Sequence, residues 1–165
     1  MIVQTLVCAG FAVHETIFRL ARQTKGEIPC AVRPSVEKAC VSNVAYVKKC
    51  LEDEFDPLAD QLPDAEEVQK AVCGGCVFVF KGSATVKGFI WWERVGLTAT
   101  IRYLCVDRAA RSQGVGRSLI EDYFRRTSGC ARHLIWVRSQ NHAALSCYKR
   151  MGYLQDGVED IVMVK

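Results

Sequence analysis

Six consecutive residues, Arg111-Ser112-Gln113-Gly114-Val115-Gly116, carry the densest chemistry in this 165-residue chain. Before them, Thr98, Thr100, Ile101, Tyr103 and Val106 favour extended backbone. After them, Val115, Leu119, Ile120, Tyr123 and Phe124 recur at helical spacing. The first amides of a helix have no intrahelical partner and lie at the positive end of its dipole. Glycines there let the oxygens of an anion reach bare amides, and Arg111 and Arg117 add positive charge, so the loop suits a diphosphate. The plainer reading is a tight strand-to-helix turn without a ligand. A Walker loop is a poor match, because no Lys-Ser/Thr follows the glycines, and no Gly-x-Gly-x-x-Gly opens a first strand–helix turn.

A second constellation runs from Asn141 to Tyr153. Asn141 is placed to cap a helix, Ala144, Cys147, Tyr148 and Met151 share one face, and Gly152 can end the helix in the left-handed conformation. Each residue taken singly is ordinary helix construction.

Taken together, the two stretches resemble the GNAT acetyltransferases, in the manner of an uncharacterised bacterial-type member. Arg111-x-x-Gly114-x-Gly116 is similar to that family's acetyl-CoA pyrophosphate loop, with Ser112 where the family usually has Gly. Asn141, Ala144, Tyr148, Gly152 and Tyr153 match Asn-x-x-Ala-x-x-x-Tyr-x-x-x-Gly-Phe/Tyr. The resemblance covers the chain from about residue 40 onward. It implies an α/β (α+β) GNAT fold: a mixed central sheet with an antiparallel first half, flanked by helices, whose parallel fourth and fifth strands splay apart around the cofactor.

The resemblance also implies acetyl-CoA as co-substrate. The amides of Leu104, Cys105 and Val106 would then run beside the pantetheine and polarise the thioester carbonyl. Arg111, Ser112, Gln113, Gly114, Val115, Gly116 and Arg117 would bind the pyrophosphate, and Asn141 the cofactor arm or a water. Tyr148 would be the general acid that protonates the leaving sulfur; a phenol of pKa about 10 is near enough to a thiol for that. The base stays open between Glu93, Asp107 and a water chain. The implied activity is transfer of acetyl by direct attack to a primary amine of a small molecule or peptide. The alternative is a catalytically silent module that binds CoA or a protein partner.

The composition fits one soluble domain, 1–165, with residues 1–40 an extension of uncertain structure: half the residues are hydrophobic and 24% are charged. A net charge of +4, with both signs interspersed, gives no nucleic-acid footprint. No apolar run spans a membrane, and the apolar N-terminus lacks the basic region of a signal peptide. Nine cysteines in no scaffold spacing predict small buried hydrophobes in a reducing, cytoplasmic protein. Cys73-Gly74-Gly75-Cys76 reads as a Gly-Gly turn flanked by core cysteines, since no second ligand pair offers a zinc site. A symmetric homodimer is an expected assembly.

The elements that must position these residues follow from periodicity. Val13, Ile17, Leu20 and Ala21 mark a helix face near the start, and Ile28 to Arg33 a strand. A helix runs from Ser42 or Asn43 to Phe55, and Asp64 to Glu67 caps another that reaches Val72. Three antiparallel strands follow: Cys76 to Phe80, Ala84 to Val95 and the strand from Thr98. Then come a helix from about Gly114 to Thr127, a strand from His133 to Ser139, a helix from Asn141 to Met151, and a last strand within Val158 to Lys165. Eight acids between Glu52 and Glu67 read either as solvated helix faces or as a mouth for a cationic amine.

Overall fold

The computed structural model describes residues 2–24 and 35–165. The expected strand from Ile28 to Arg33 lies outside the described residues. The architecture is α+β. In chain order the elements are α1 (Ile2–Cys8), β1 (Ala12–Gln23), β2 (Val36–Lys38), α2 (Val44–Glu54), α3 (Ala65–Gly74), β3 (Val77–Lys81), β4 (Val86–Val95), β5 (Thr98–Val106), α4 (Val115–Arg126), β6 (Arg132–Arg138), α5 (His142–Arg150) and β7 (Leu154–Val164). They fall into two compact units: residues 23–133, and residues up to 22 together with 134–165.

In the larger unit, β2, β3, β4 and β5 form a continuous antiparallel meander. Its central strands are apolar on both faces over their middle stretches because helices cover both. On one face, Val47, Cys50 and Leu51 of α2 and Val68, Ala71 and Val72 of α3 pack against Val77, Val79, Phe89, Trp91, Tyr103 and Cys105. On the other lies α4, with Leu119, Ile120, Tyr123 and Phe124 buried, the Tyr123 ring 5.9 Å from Trp92, and its hydroxyl donating to Ala99 O at 3.0 Å. One irregularity in the β4–β5 ladder matters. Trp91 is opposite Tyr103 and Trp92 is opposite Ile101, so Arg102 is an extra residue in β5. The bulge reverses the side-chain alternation, which puts Tyr103 and Ile101 on opposite faces although they are two apart in sequence.

The helix ends are made by local chemistry. Asp64 accepts from Glu67 N at 2.8 Å while Glu67 accepts from Asp64 N at 2.9 Å, the reciprocal cap the sequence predicts. Gly75, at φ +78°, ends α3. Of the two cysteines around that turn, Cys76 packs against the core, whereas Cys73 is exposed, contrary to the expectation that both are core residues. Cys8 and Cys40 are exposed too, so burial is not general among the cysteines.

In the smaller unit, the sheet order is β6-β1-β7, with β1 and β7 antiparallel. Here the expected N-terminal helix face is overturned: Val13, Ile17, Leu20 and Ala21 all belong to β1. The core includes Ile17, Leu20, Ile135, Val137, Tyr148 and Tyr153. Arg19 of β1 reaches Asp156 of β7 at 2.9 Å and lies over the Trp136 ring.

Candidate active site

The loop that follows β5 is built in three steps. Asp107 N donates to Lys87 O at 2.9 Å, extending the β4–β5 pairing to its end. A single 3₁₀ turn, Arg108–Ala110, swings the chain away. Ser112 then takes φ +63° and Gly114 φ +82°, and α4 begins at Val115. Both angles lie in the left-handed region that glycine enters at no cost. Position 112 is therefore held here by a serine in a glycine's conformation. A Cβ on Gly114 would meet nothing within 4 Å, and one on Gly116 would meet only Val106 Cγ2 at 3.5 Å, so the mouth of the loop is open.

The side chains that flank the loop are bound to the protein. Arg111 donates from Nε to Val106 O at 3.1 Å and from Nη2 to Glu54 Oε2 at 2.7 Å. Arg108 Nε donates to Glu54 Oε1 at 2.8 Å. The Arg111 guanidinium, with help from Arg108, holds the Glu54 carboxyl below the usual range. Gln113 Nε2 donates to Ala109 O at 2.7 Å, and Arg117 pairs with Glu121 at 2.8 Å. What the loop presents to an anion is therefore its backbone: the first amides of α4, with guanidinium charge held close behind them.

Leu104, Cys105 and Val106 end β5, opposite Ile90, Phe89 and Gly88 of β4. Glu93 lies opposite Thr100, six residues before Val106 and so roughly 20 Å along the strand from it. Its carboxylate is shared with Arg102 at 3.3 Å. Asp107, the other candidate base, accepts from Tyr46 Oη of α2 at 2.6 Å. The two candidate bases are thus at opposite ends of β5, and the structure does not bring them together.

In the smaller unit, Asn141 Oδ1 accepts from Ala144 N at 3.1 Å, the predicted cap of α5. The helix closes through Tyr153 N on Tyr148 O at 3.0 Å, with Gly152 at φ +83°. Tyr148 is 4% exposed and packs edge-on against Tyr153, ring centroids 5.6 Å apart. Burial pushes the Tyr148 phenol well above its ordinary pKa, so it stays protonated.

The acids between residues 52 and 67 are largely consumed locally. Glu54 holds two arginines, Glu52 pairs with Lys48, Glu66 with Lys70, Asp56 accepts from Leu58 N, and Asp64 and Glu67 cap α3. The solvated-face reading describes them better than a mouth for an amine. Sequence reasoning missed a cavity of about 380 Å³ lined by Tyr46, Cys50, Asp53 and Glu54 of α2 and by Cys105 and Asp107. Its signal is the spacing of those four α2 residues, a second helical stripe beside the core stripe of Val44, Val47 and Leu51.

Among curated proteins, no sequence matches this chain. Solved structures share its fold at low identity. A putative GNAT acetyltransferase from Novosphingobium aromaticivorans superposes with TM-score 0.72 at 14% identity, over 94% of this chain and 68% of that one. A GCN5-related N-acetyltransferase from Sphaerobacter thermophilus gives 0.71 at 14% identity, and this chain, 98% covered, spans only 55% of it. Rv2747 from Mycobacterium tuberculosis, solved in complex with CoA and NLQ, gives 0.60 at 16% identity over 70% of each chain. The sequence itself matches the family model described as Acetyltransferase (GNAT) family over residues 45–153, a span that contains both the Arg111–Gly116 loop and the Asn141–Tyr153 stretch. By that match the chain belongs to the GNAT acetyltransferase family.

Proposed function

We propose that this protein is an acetyl-CoA-dependent N-acetyltransferase that acts, in the cytoplasm, on a primary amine of a small molecule or peptide. The observation that carries the reading is the loop from Arg111 to Arg117: two left-handed residues lead an open row of amides into the N-terminus of α4. Those amides suit a pyrophosphate, and Rv2747, which has the same fold, was solved with CoA. Bound acetyl-CoA supplies the activated thioester. The chain's own part is to hold it, through the amides of Ser112 to Arg117 at the phosphates and those of Leu104 to Val106 along the arm. Tyr148 keeps a proton on Oη for the leaving sulfur. Glu93, or a water chain, takes the proton of the attacking amine, and Asn141 fixes the turn that precedes α5.

The experiment is calorimetric titration of the reduced protein with acetyl-CoA, with ATP as control, followed by an amine panel read by mass spectrometry. Selective micromolar binding with acetylated product is expected. Equal binding of ATP, or none of acetyl-CoA, overturns the phosphate assignment. The burial of Tyr148 favours one second reading, a catalytically silent CoA-binding module; it predicts binding without acetylation of any amine.

A further inference from the structure

The acetyltransferase reading leaves unused a cluster of titratable side chains between α2 and β5. Cys50 (9% exposed) and Cys105 (6% exposed) come from different elements, line the same 380 Å³ cavity, and belong to the same buried cluster. Tyr46, one helical turn before Cys50, lines it too and is bound to Asp107, two residues after Cys105. The arrangement is unequal. The proton of Tyr46 is committed to Asp107 at 2.6 Å, which leaves the two thiols as the groups free to react in the cavity. The Cys105 thiol beside it holds the Cys50 pKa below the ordinary thiol value, while Cys50 and burial together push that of Cys105 up. One sulfur is the readier thiolate, and the other keeps its proton beside it. That is the division between an attacking and a resolving thiol.

We propose that Cys50 and Cys105 are a modification site, a thiol pair that a small hydroperoxide entering the cavity converts to a disulfide. The Cys50 thiolate attacks one oxygen of hydrogen peroxide; the O–O bond breaks, hydroxide leaves and Cys50 becomes a sulfenic acid. The Cys105 sulfur then attacks the Cys50 sulfur, the S–O bond breaks, and the departing hydroxide takes the Cys105 proton as water. Two thiols and one peroxide give one disulfide and two waters. The bond ties α2 to β5, a few residues from Glu54 on one side and from Arg108 on the other. The inference does not depend on the acetyltransferase reading.

The test is graded hydrogen peroxide treatment of the full chain, alkylation of the remaining thiols, and tryptic mapping without reduction. Cleavage leaves Cys50 in the peptide 50–70 and Cys105 in the peptide 103–108, one cysteine in each, so a link between them is unambiguous. The expected result is that linked pair, two hydrogens lighter than the sum of its parts, as the earliest disulfide formed, and its loss of preference in a chain unfolded with guanidinium. In Cys105→Ser, dimedone should trap a sulfenic acid on Cys50. The proposal is overturned if the native chain forms other disulfides first. It is equally overturned if Cys50 proceeds to sulfinic acid with Cys105 still reduced. The wild-type map decides even if the variant fails to fold.

Discussion

Glu54, at the last turn of α2, holds Arg111 through Nη2 at 2.7 Å, and the same guanidinium donates through Nε to Val106 O at 3.1 Å. One arginine therefore joins the end of β5, the Arg111–Gly116 loop and a helix almost sixty residues earlier in the chain. With Arg108 on its other oxygen, Glu54 neutralises part of the loop's charge and fixes its entry.

Replacing that carboxylate tests the brace. Glu54→Gln should cost about 1 kcal/mol or less at neutral pH, since Glu54 is about a quarter exposed and water screens such pairs. Because the arginines lower its folded pKa, the contribution is present above the unfolded carboxyl value and is lost as pH falls through the folded one. Urea titrations should therefore show a gap between wild type and variant at pH 7 that closes as the pH is lowered through the folded carboxyl's titration. A gap independent of pH would mean that packing, not charge, is what Glu54 supplies.

The loop's three small residues separate conformational cost from contact with a ligand. Ser112→Gly should stabilise the fold by up to about 1 kcal/mol, because φ +63° is strained for serine and free for glycine. Gly114→Ala should destabilise by about 1–2 kcal/mol although its Cβ meets open space, since φ +82° itself is the obstacle. Gly116→Ala meets only an ordinary van der Waals contact, so thermal melts should be nearly unchanged. A large loss of acetyl-CoA affinity in Gly116→Ala, measured by calorimetry, would then report the ligand and not the fold. Undiminished affinity would remove Gly116 from the phosphate site.

The cap at Asn141 sets the start of α5. Asn141→Ala should lower stability by about 1 kcal/mol, the usual value of an N-cap side chain, while Asn141→Asp should keep most of it. Chemical denaturation of both variants checks this. If Asn141→Asp keeps stability but loses acetyl-CoA affinity, the amide nitrogen serves the ligand as well as the oxygen serves the helix.

How legible these features were depends on where the backbone keeps a simple period. The β3–β4–β5 meander and both flanking helices could be read because turns fall at Gly82, Gly96 and Gly114 and the apolar residues between them recur regularly. β1 could not. Its ladder with β7 slips between Val13 and Glu15 and again between Phe18 and Leu20, so its buried residues Ile17 and Leu20 are three apart, a helix-like interval produced by a bulge. The same effect at Arg102 hides the fact that β5 changes faces. The loop's glycines give grounds to propose an anion site, but nothing in the local sequence says that Arg111 is spoken for by Glu54, because ion pairs over that separation have no period to read.

Tyr148 is where the enzyme and the silent module part. Its hydroxyl is held protonated by burial, so it is a donor at every working pH, and the ring supports Tyr153 whether or not the hydroxyl does chemistry. Tyr148→Phe keeps the ring and removes only the proton. If the phenol protonates the leaving sulfur, kcat should fall about 10²–10⁴-fold with acetyl-CoA affinity unchanged. The raised pKa fixes a second expectation. A phenol ionises more readily in the unfolded chain than in this site, so stability is intact below pH 10 and declines as pH rises toward the folded value. Tyr148→Phe should therefore be less sensitive than wild type to alkaline unfolding, measured by circular dichroism between pH 9 and pH 12. Loss of that alkaline sensitivity with turnover unchanged would leave Tyr148 a core residue and move the proton transfer to water.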